Sequence, residues 1–251
     1  MSALRARMFL RCFFLQSGFS DESRQALGFA WALDPALLVA HKKDPHGLAA
    51  ARVRHLGPFN TNPFAVGIIL GSTAALEVRA VGTPALAARA LTLKSAAGAS
   101  LAGAADALFW GSLRPLAAAL AVFVAVVSQH LHLPHFLFWG ALAGLVVFNV
   151  PALAARWAGL SQGLAEGEAS LVSAARLPVQ AWVRRGRLAA IGLLIAASAL
   201  AGSSGAVAPA LFAACAFTAG LILSRVVGGP MRLVVAAGLL GVAAAAGGWT
   251  L

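Results

Sequence analysis

Three uncharged polar side chains, Asn60, Thr61 and Asn62, stand together between Pro58 and Pro63 in a chain that is otherwise mostly apolar from there on. Amides and a hydroxyl in a tight, proline-bounded turn offer donors and acceptors without charge. Such groups meet carbohydrate hydroxyls, with an aromatic ring on the sugar face. The plainer use is a helix N-cap ahead of residues 64–76; capping occupies one of the three comfortably and all three poorly. Beyond residue 58 only four acids remain, Glu77, Asp106, Glu166 and Glu168. The last two sit in a polar linker, where solvation accounts for them. Glu77 and Asp106 each end a short, glycine-rich apolar segment, GIILGSTAALE and GASLAGAAD. An ionisable group at membrane depth costs about 3 kcal/mol or more, which makes it a functional hypothesis. Its structural counterpart is an interfacial pairing of these two acids with Arg79 and Arg114.

Other chemistry is less well supported. His130, His132 and His135 have a spacing that does not specify a metal, and no carboxylate or cysteine lies near them in sequence. Cys12 and Cys215 lie far apart in apolar surroundings and read as packing residues. No phosphate-binding loop, dinucleotide fingerprint, nucleophile elbow or metalloprotease motif occurs. The expectation is therefore no catalytic residue, no metal and no cofactor.

The elements that must position these residues belong to a membrane. Of 251 residues 60% are hydrophobic and 11% charged, and mean hydropathy is +0.84; soluble domains are about 25% charged. Nineteen Lys and Arg against eight Asp and Glu give +11. These cations punctuate apolar segments instead of forming a basic domain, which argues against nucleic acid and for membrane loops. Residues 1–58, with eight basic and four acidic residues, read as short amphipathic helices at the cytoplasmic membrane surface. Asp34-Pro35 and Asp44-Pro45 read as helix boundaries, because the residue before proline avoids the helical region. Residues 59–251 read as the membrane domain. Apolar stretches long enough to span, or nearly so, lie at about 115–133, 135–155, 188–208, 208–227 and 231–251. Shorter ones at 64–76 and 95–112 are candidates for re-entrant hairpins. The expected fold is an all-α membrane protein with amphipathic N-terminal helices, two such hairpin candidates and four to five transmembrane helices. Basic residues place the N-terminus and the 156–187 linker in the cytoplasm and the C-terminus outside. No signal peptide is expected, since Arg5, Arg7 and Arg11 interrupt the first apolar stretch.

Three ordered stretches resemble one known family. RCFFLQSGFSDESRQALGFAWAL (residues 11–33) resembles the opening of the IID subunit of mannose/fructose/sorbose-type phosphotransferase (PTS) permeases. FNTNP (residues 59–63) is similar to that family's Phe-Asn-Thr-His/Asn-Pro motif. LKSAAGASLAGAADALFWGSLRP (residues 93–115) is similar to its Leu-Lys…Leu-Ala-Gly-x-Gly-Asp-x-x-Phe-Trp…Arg-Pro signature. The resemblance covers residues 11–115 and is weaker beyond. It implies a transport subunit of the bacterial inner membrane, carrying no phosphohistidine. With a IIC subunit it would bind and translocate a hexose, while cytoplasmic IIA and IIB relay the phosphoryl group, in an oligomer of IIC–IID pairs. On that footing the expected sugar contacts are Asn60, Thr61, Asn62, Glu77 and Asp106, with Trp110 as a stacking ring. Gln16, Gln25, Lys94 and Arg114 are expected to anchor. The family pattern has Met-Gly-Pro where this chain has Gly98-Ala99-Ser100, and glycine where it has Ala105. Those changes would alter a bend, and they define the other reading, a regulatory or scaffolding membrane protein descended from a IID subunit. A lipid-processing enzyme has only hydrophobicity behind it.

Overall fold

A computed structural model describes residues 2–202, and within them the chain is helical throughout apart from turns and two isolated bridge contacts at Arg24. The helices are α1 (Ser2–Arg11), α2 (Ala26–Ala40), α3 (Pro45–Arg54), α4 (Val66–Ala80), α5 (Pro84–Leu108), α6 (Arg114–His130), α7 (Phe136–Glu166), α8 (Glu168–Ala175) and α9 (Val179–Gly202). A π-helical segment, Phe109–Leu113, joins α5 to α6 without a break. Among the described residues two helical stretches, Pro84–His130 and Phe136–Glu166, are long and apolar enough to cross a membrane. The apolar stretches expected at 208–227 and 231–251, the end of the one at 188–208, and Cys215 lie outside the described residues.

The chain divides into two compact units. Among the described residues, one comprises those up to Ala107 together with Pro151–Pro178, and the other comprises Leu108–Val150 and those from Val179 to Gly202. In the first unit residues 1–58 and 59–107 share one core. Met8, Leu15, Phe29, Leu33 and Leu37 from the N-terminal helices meet Val66, Ile69 and Leu70 of α4 and Leu160 of α7. The second unit packs α6 against α9 through Ala119, Val126, Ala190, Leu194 and Ala197.

Proline does not mark both boundaries it was expected to mark. At Asp44-Pro45 it does: α3 begins at Pro45, and the Asp44 carboxylate caps it by accepting from the Gly47 N–H at 2.8 Å. At Asp34-Pro35 it does not, because α2 runs through Pro35 to Ala40. An interior proline removes the hydrogen bond to the carbonyl four residues earlier, here that of Trp31. Arg11 Nη1 donates to that carbonyl at 2.9 Å, so the helix continues at little cost. The same arginine and Arg52 hold the Asp34 carboxylate.

Of the segment 64–76, residues from Val66 on lie in α4; of 95–112, residues to Leu108 lie in α5 and the rest in the π-helical segment that continues it. Neither folds back within itself, and the chain reverses between them, at residues 81–83. Helix α7 outruns the expected end of its span at 155, reaching Glu166. Its continuation packs backbone to backbone on α4. A Cβ on Gly67 would lie 2.1 Å from the Arg156 carbonyl oxygen, one on Gly71 2.6 Å from that of Leu160, and one on Gly163 2.6 Å from that of Ile68. Glycine on both helices, four residues apart on each, permits this approach, which brings Arg156 alongside the turn preceding α4.

Candidate functional site

The turn at residues 59–63 is built against the residues just before α2. The Phe59 N–H donates to the Ser23 carbonyl (3.3 Å) and the Gln25 N–H to the Phe59 carbonyl (2.8 Å). The Gln25 side chain then extends the pairing by two bonds: its Oε1 accepts from the Thr61 N–H at 2.9 Å and its Nε2 donates to the Thr61 carbonyl at 3.0 Å. Gln25, Thr61 and Asn62 are buried, whereas Asn60 is exposed. Asn62 is fixed at both ends of its amide. Its Oδ1 accepts from the Phe64 N–H (2.9 Å) and its Nδ2 donates to Asp106 Oδ1 (2.8 Å). Two of the acids and amides singled out from sequence, 44 residues apart, thus meet in space. Asp106 itself lies on an exposed face of α5. Gly98, on the same helix, lets the Phe59 ring approach, since a Cβ there would be 2.8 Å from it.

Glu77 lies elsewhere in the first unit. Its side chain has no exposure and is claimed by two bases at the end of α3. Arg54 donates to both oxygens, with Nε 3.1 Å from Oε1 and Nη2 on Oε2, and His55 Nε2 lies 2.9 Å from Oε1. The interfacial pairing with Arg79 and Arg114 is therefore not what forms: Glu77 is held by Arg54 and His55, and Asp106 by Asn62. Burial holds the His55 imidazole below its usual value of 6.5, outweighing the hydrogen bond to Glu77, so the ring is neutral at pH 7 and donates from Nε2. Lys94, buried in α5, donates to the His55 carbonyl (2.8 Å), with Nζ 5.0 Å from the Phe29 ring centre and 5.2 Å from that of Phe59. Arg156, buried in α7, donates from Nε to the Pro63 carbonyl at 3.0 Å.

The other named residues lie apart from this cluster. Gln16 is exposed near the end of α1. Trp110 belongs to the second unit, in the π-helical segment; its ring stacks on Phe148 (centroids 6.1 Å, 24°) and lies 5.9 Å from the Arg114 guanidinium. Arg187 Nε donates to the Gly111 carbonyl (2.9 Å) and Ser112 to that of Val183 (3.1 Å), satisfying groups around the π turn. Among the described residues no three His, Cys, Asp or Glu side chains gather as a metal site. Burial pushes the Cys12 thiol up to about 11, which leaves it protonated and inert. Sequence reasoning missed Arg54, His55 and Arg156. The available signal was charge balance, since a lone buried acid requires a cation from elsewhere in the chain.

What the arrangement offers is a turn of uncharged polar groups backed by one carboxylate, in a helical frame apolar enough for a bilayer. Residues 2–197 match the family described as the PTS system mannose/fructose/sorbose family IID component. The chain belongs to that family. It is an all-α membrane protein and a IID component. Among curated relatives, the mannose-specific EIID component of Escherichia coli (strain K12) is 34% identical over 161 residues, 64% of this chain and 54% of that protein. The sorbose-specific EIID component of Lacticaseibacillus casei is 36% identical over 155 residues, 61% and 52% of the respective chains. The fructose permease IID component of Bacillus subtilis (strain 168) is 31% identical over 169 residues, 64% and 55%. The chain spans about half the length of the curated relatives it matches. A solved complex of the mannose transporter ManYZ with microcin E492 superposes with TM-score 0.59 at 25% identity, over 99% of this chain and 97% of that one. A second solved structure, described as a membrane protein, has TM-score 0.64 at 24% identity over the same shares and shows a common fold.

Proposed function

We propose that this IID component works with a IIC membrane subunit to bind and translocate a hexose, coupled to phosphorylation of that sugar by IIA and IIB, and does no chemistry of its own. The observation that carries the reading is the meeting of Asn62 with Asp106, beside the exposed Asn60. Sugar hydroxyls are both donors and acceptors, and an amide backed by a carboxylate presents both. In this reading Asn60 and Asp106 touch sugar, Asn62 holds the Asp106 carboxylate in place, and Thr61 shapes the turn. Glu77, spent on Arg54 and His55, holds α4 against the end of α3. The relatives are named for mannose, sorbose and fructose, so family membership leaves the choice of hexose to the contacts in this chain. The setting is the bacterial inner membrane, in an oligomer of IIC–IID pairs, with the N-terminus cytoplasmic and the C-terminus outside.

The test is phosphoenolpyruvate-dependent uptake of labelled mannose, fructose and glucosamine by cells carrying this chain with its IIC, IIA and IIB partners. A control lacks only this chain. Uptake should depend on the chain and be lost in Asp106→Asn and Asn60→Ala, each of which should still reach the membrane because no helix is shortened. Chain-independent uptake would overturn the transport role. Wild-type uptake by both variants would overturn the site. An assembled complex that moves none of the sugars would transfer the case to a regulatory subunit.

A further inference from the structure

We propose that Gln25 and Arg156 are positioning residues that clamp the middle and the far end of the 59–63 turn and thereby set the position of Asn60 and, through Asn62, of Asp106 toward sugar; the proposal rests on the turn being the sugar site. The turn belongs to no helix or sheet, yet its centre is buried, so its backbone groups need partners from side chains. Gln25 satisfies both the N–H and the carbonyl of Thr61. Among side chains of this length only glutamine does both, since glutamate accepts only and lysine donates only. Arg156 serves the far end. It is 6% exposed, donates to the Pro63 carbonyl, and its guanidinium carbon lies 4.5 Å from the Phe13 ring centre and 5.1 Å from that of Phe64. Among the described residues no carboxylate lies within ion-pair distance of it. A buried cation without a counter-ion is a costly way to fill space. What it adds over an apolar side chain is a donor aimed at Pro63 between two aromatic faces. Between the clamps, the Phe64 N–H holds Asn62 Oδ1, so Nδ2 must face Asp106. Releasing either clamp frees that amide to rotate.

The experiment measures the sugar concentration for half-maximal uptake, maximal uptake and membrane abundance in the assembled permease. Gln25→Leu, which loses both bonds to Thr61, and Arg156→Met, which loses the one to Pro63, should each raise the half-saturating concentration about tenfold or more. Gln25→Glu, which still accepts from Thr61, and Arg156→Lys, which still donates to Pro63, should recover part of the loss. A wild-type half-saturating concentration in all four, whatever the maximal rate, would overturn the clamp and leave only a structural role. If the first two variants fail to reach the membrane, the conservative pair decides by the same criterion. Asn60→Ala runs alongside. Uptake lost there with unaltered clamp variants would overturn the clamp alone, whereas wild-type uptake in both Asn60→Ala and Asp106→Asn would remove the sugar-site reading and the clamp together.

Discussion

Glu77 keeps its charge where water does not reach, because Arg54 and His55 supply the hydrogen bonds that solvent would have supplied. Removing one partner of such a buried pair costs about 3–5 kcal/mol. Glu77→Gln should therefore lower the amount of folded protein recovered from membranes, with the half-saturating sugar concentration of the surviving protein unchanged. Quantitative blotting beside uptake kinetics separates the two effects. His55 adds a pH dependence whose sign is determined. Its imidazole is held below 6.5 in the folded chain, so the unfolded chain takes up the proton first as pH falls. The stability contributed by the neutral ring is complete above about pH 6.5 and is lost in more acid solution. Arg54 and Lys94, both near the ring, add to the cost of a second cation there. The melting temperature of detergent-solubilised protein should therefore drop from pH 7.5 to pH 5. His55→Gln should flatten that slope; an equal slope in the variant would assign it to other groups.

At the scale of elements, the crossing of α4 and α7 decides whether Arg156 reaches the turn. Gly67, Gly71 and Gly163 meet opposing backbone at distances no Cβ tolerates, so even Gly71→Ala must push the helices apart. Overpacking of this kind costs about 1–3 kcal/mol. The expected outcome is a lower melting temperature together with the weakened sugar saturation of Arg156→Met, and no further weakening when the two changes are combined. Additive losses would show that the crossing and the arginine act separately. A smaller effect belongs to α3. Asp44→Ala removes a side-chain cap worth ~1 kcal/mol, and as the cap is exposed and distant in sequence from the turn, uptake should be unaffected while melting shifts by about 2–4 °C.

At the scale of the whole molecule, one unit carries the turn, Asp106 and the Glu77 cluster, and the other carries Trp110 on a π turn tied down by Arg187 and Ser112. The chain passes between units next to that π-helical segment, at Pro151 inside α7, and at Pro178 between α8 and α9. At each of these places the regular helical hydrogen-bond ladder is altered or interrupted. Membrane orientation is testable on the full chain. Single cysteines at Lys42 and His132, in a Cys12→Ser, Cys215→Ser background, should react with an impermeant thiol reagent from opposite faces, Lys42 only once the cytoplasmic face is opened. Labelling of both from one side would overturn the proposed orientation.

Composition and periodicity determined from sequence alone that the chain is helical and suited to a bilayer, since too few polar residues are present to cover a soluble surface of this length. Motif order was enough to indicate the family, and Asn62 and Asp106 stood out because polar groups are rare in this half of the chain. Which groups meet is a different kind of information. Asn62 finds Asp106 across 44 residues, Glu77 finds Arg54 and His55 instead of the nearby Arg79, and Arg11 mends α2 at Pro35. Each of these depends on how helices pack, and a one-dimensional pattern of hydrophobicity and charge carries no distances between residues far apart along the chain. The tertiary structure decided them because a buried charge or carbonyl must find a partner within about 3 Å, and only close packing of helices, here helped by opposed glycines, says which partners come that near.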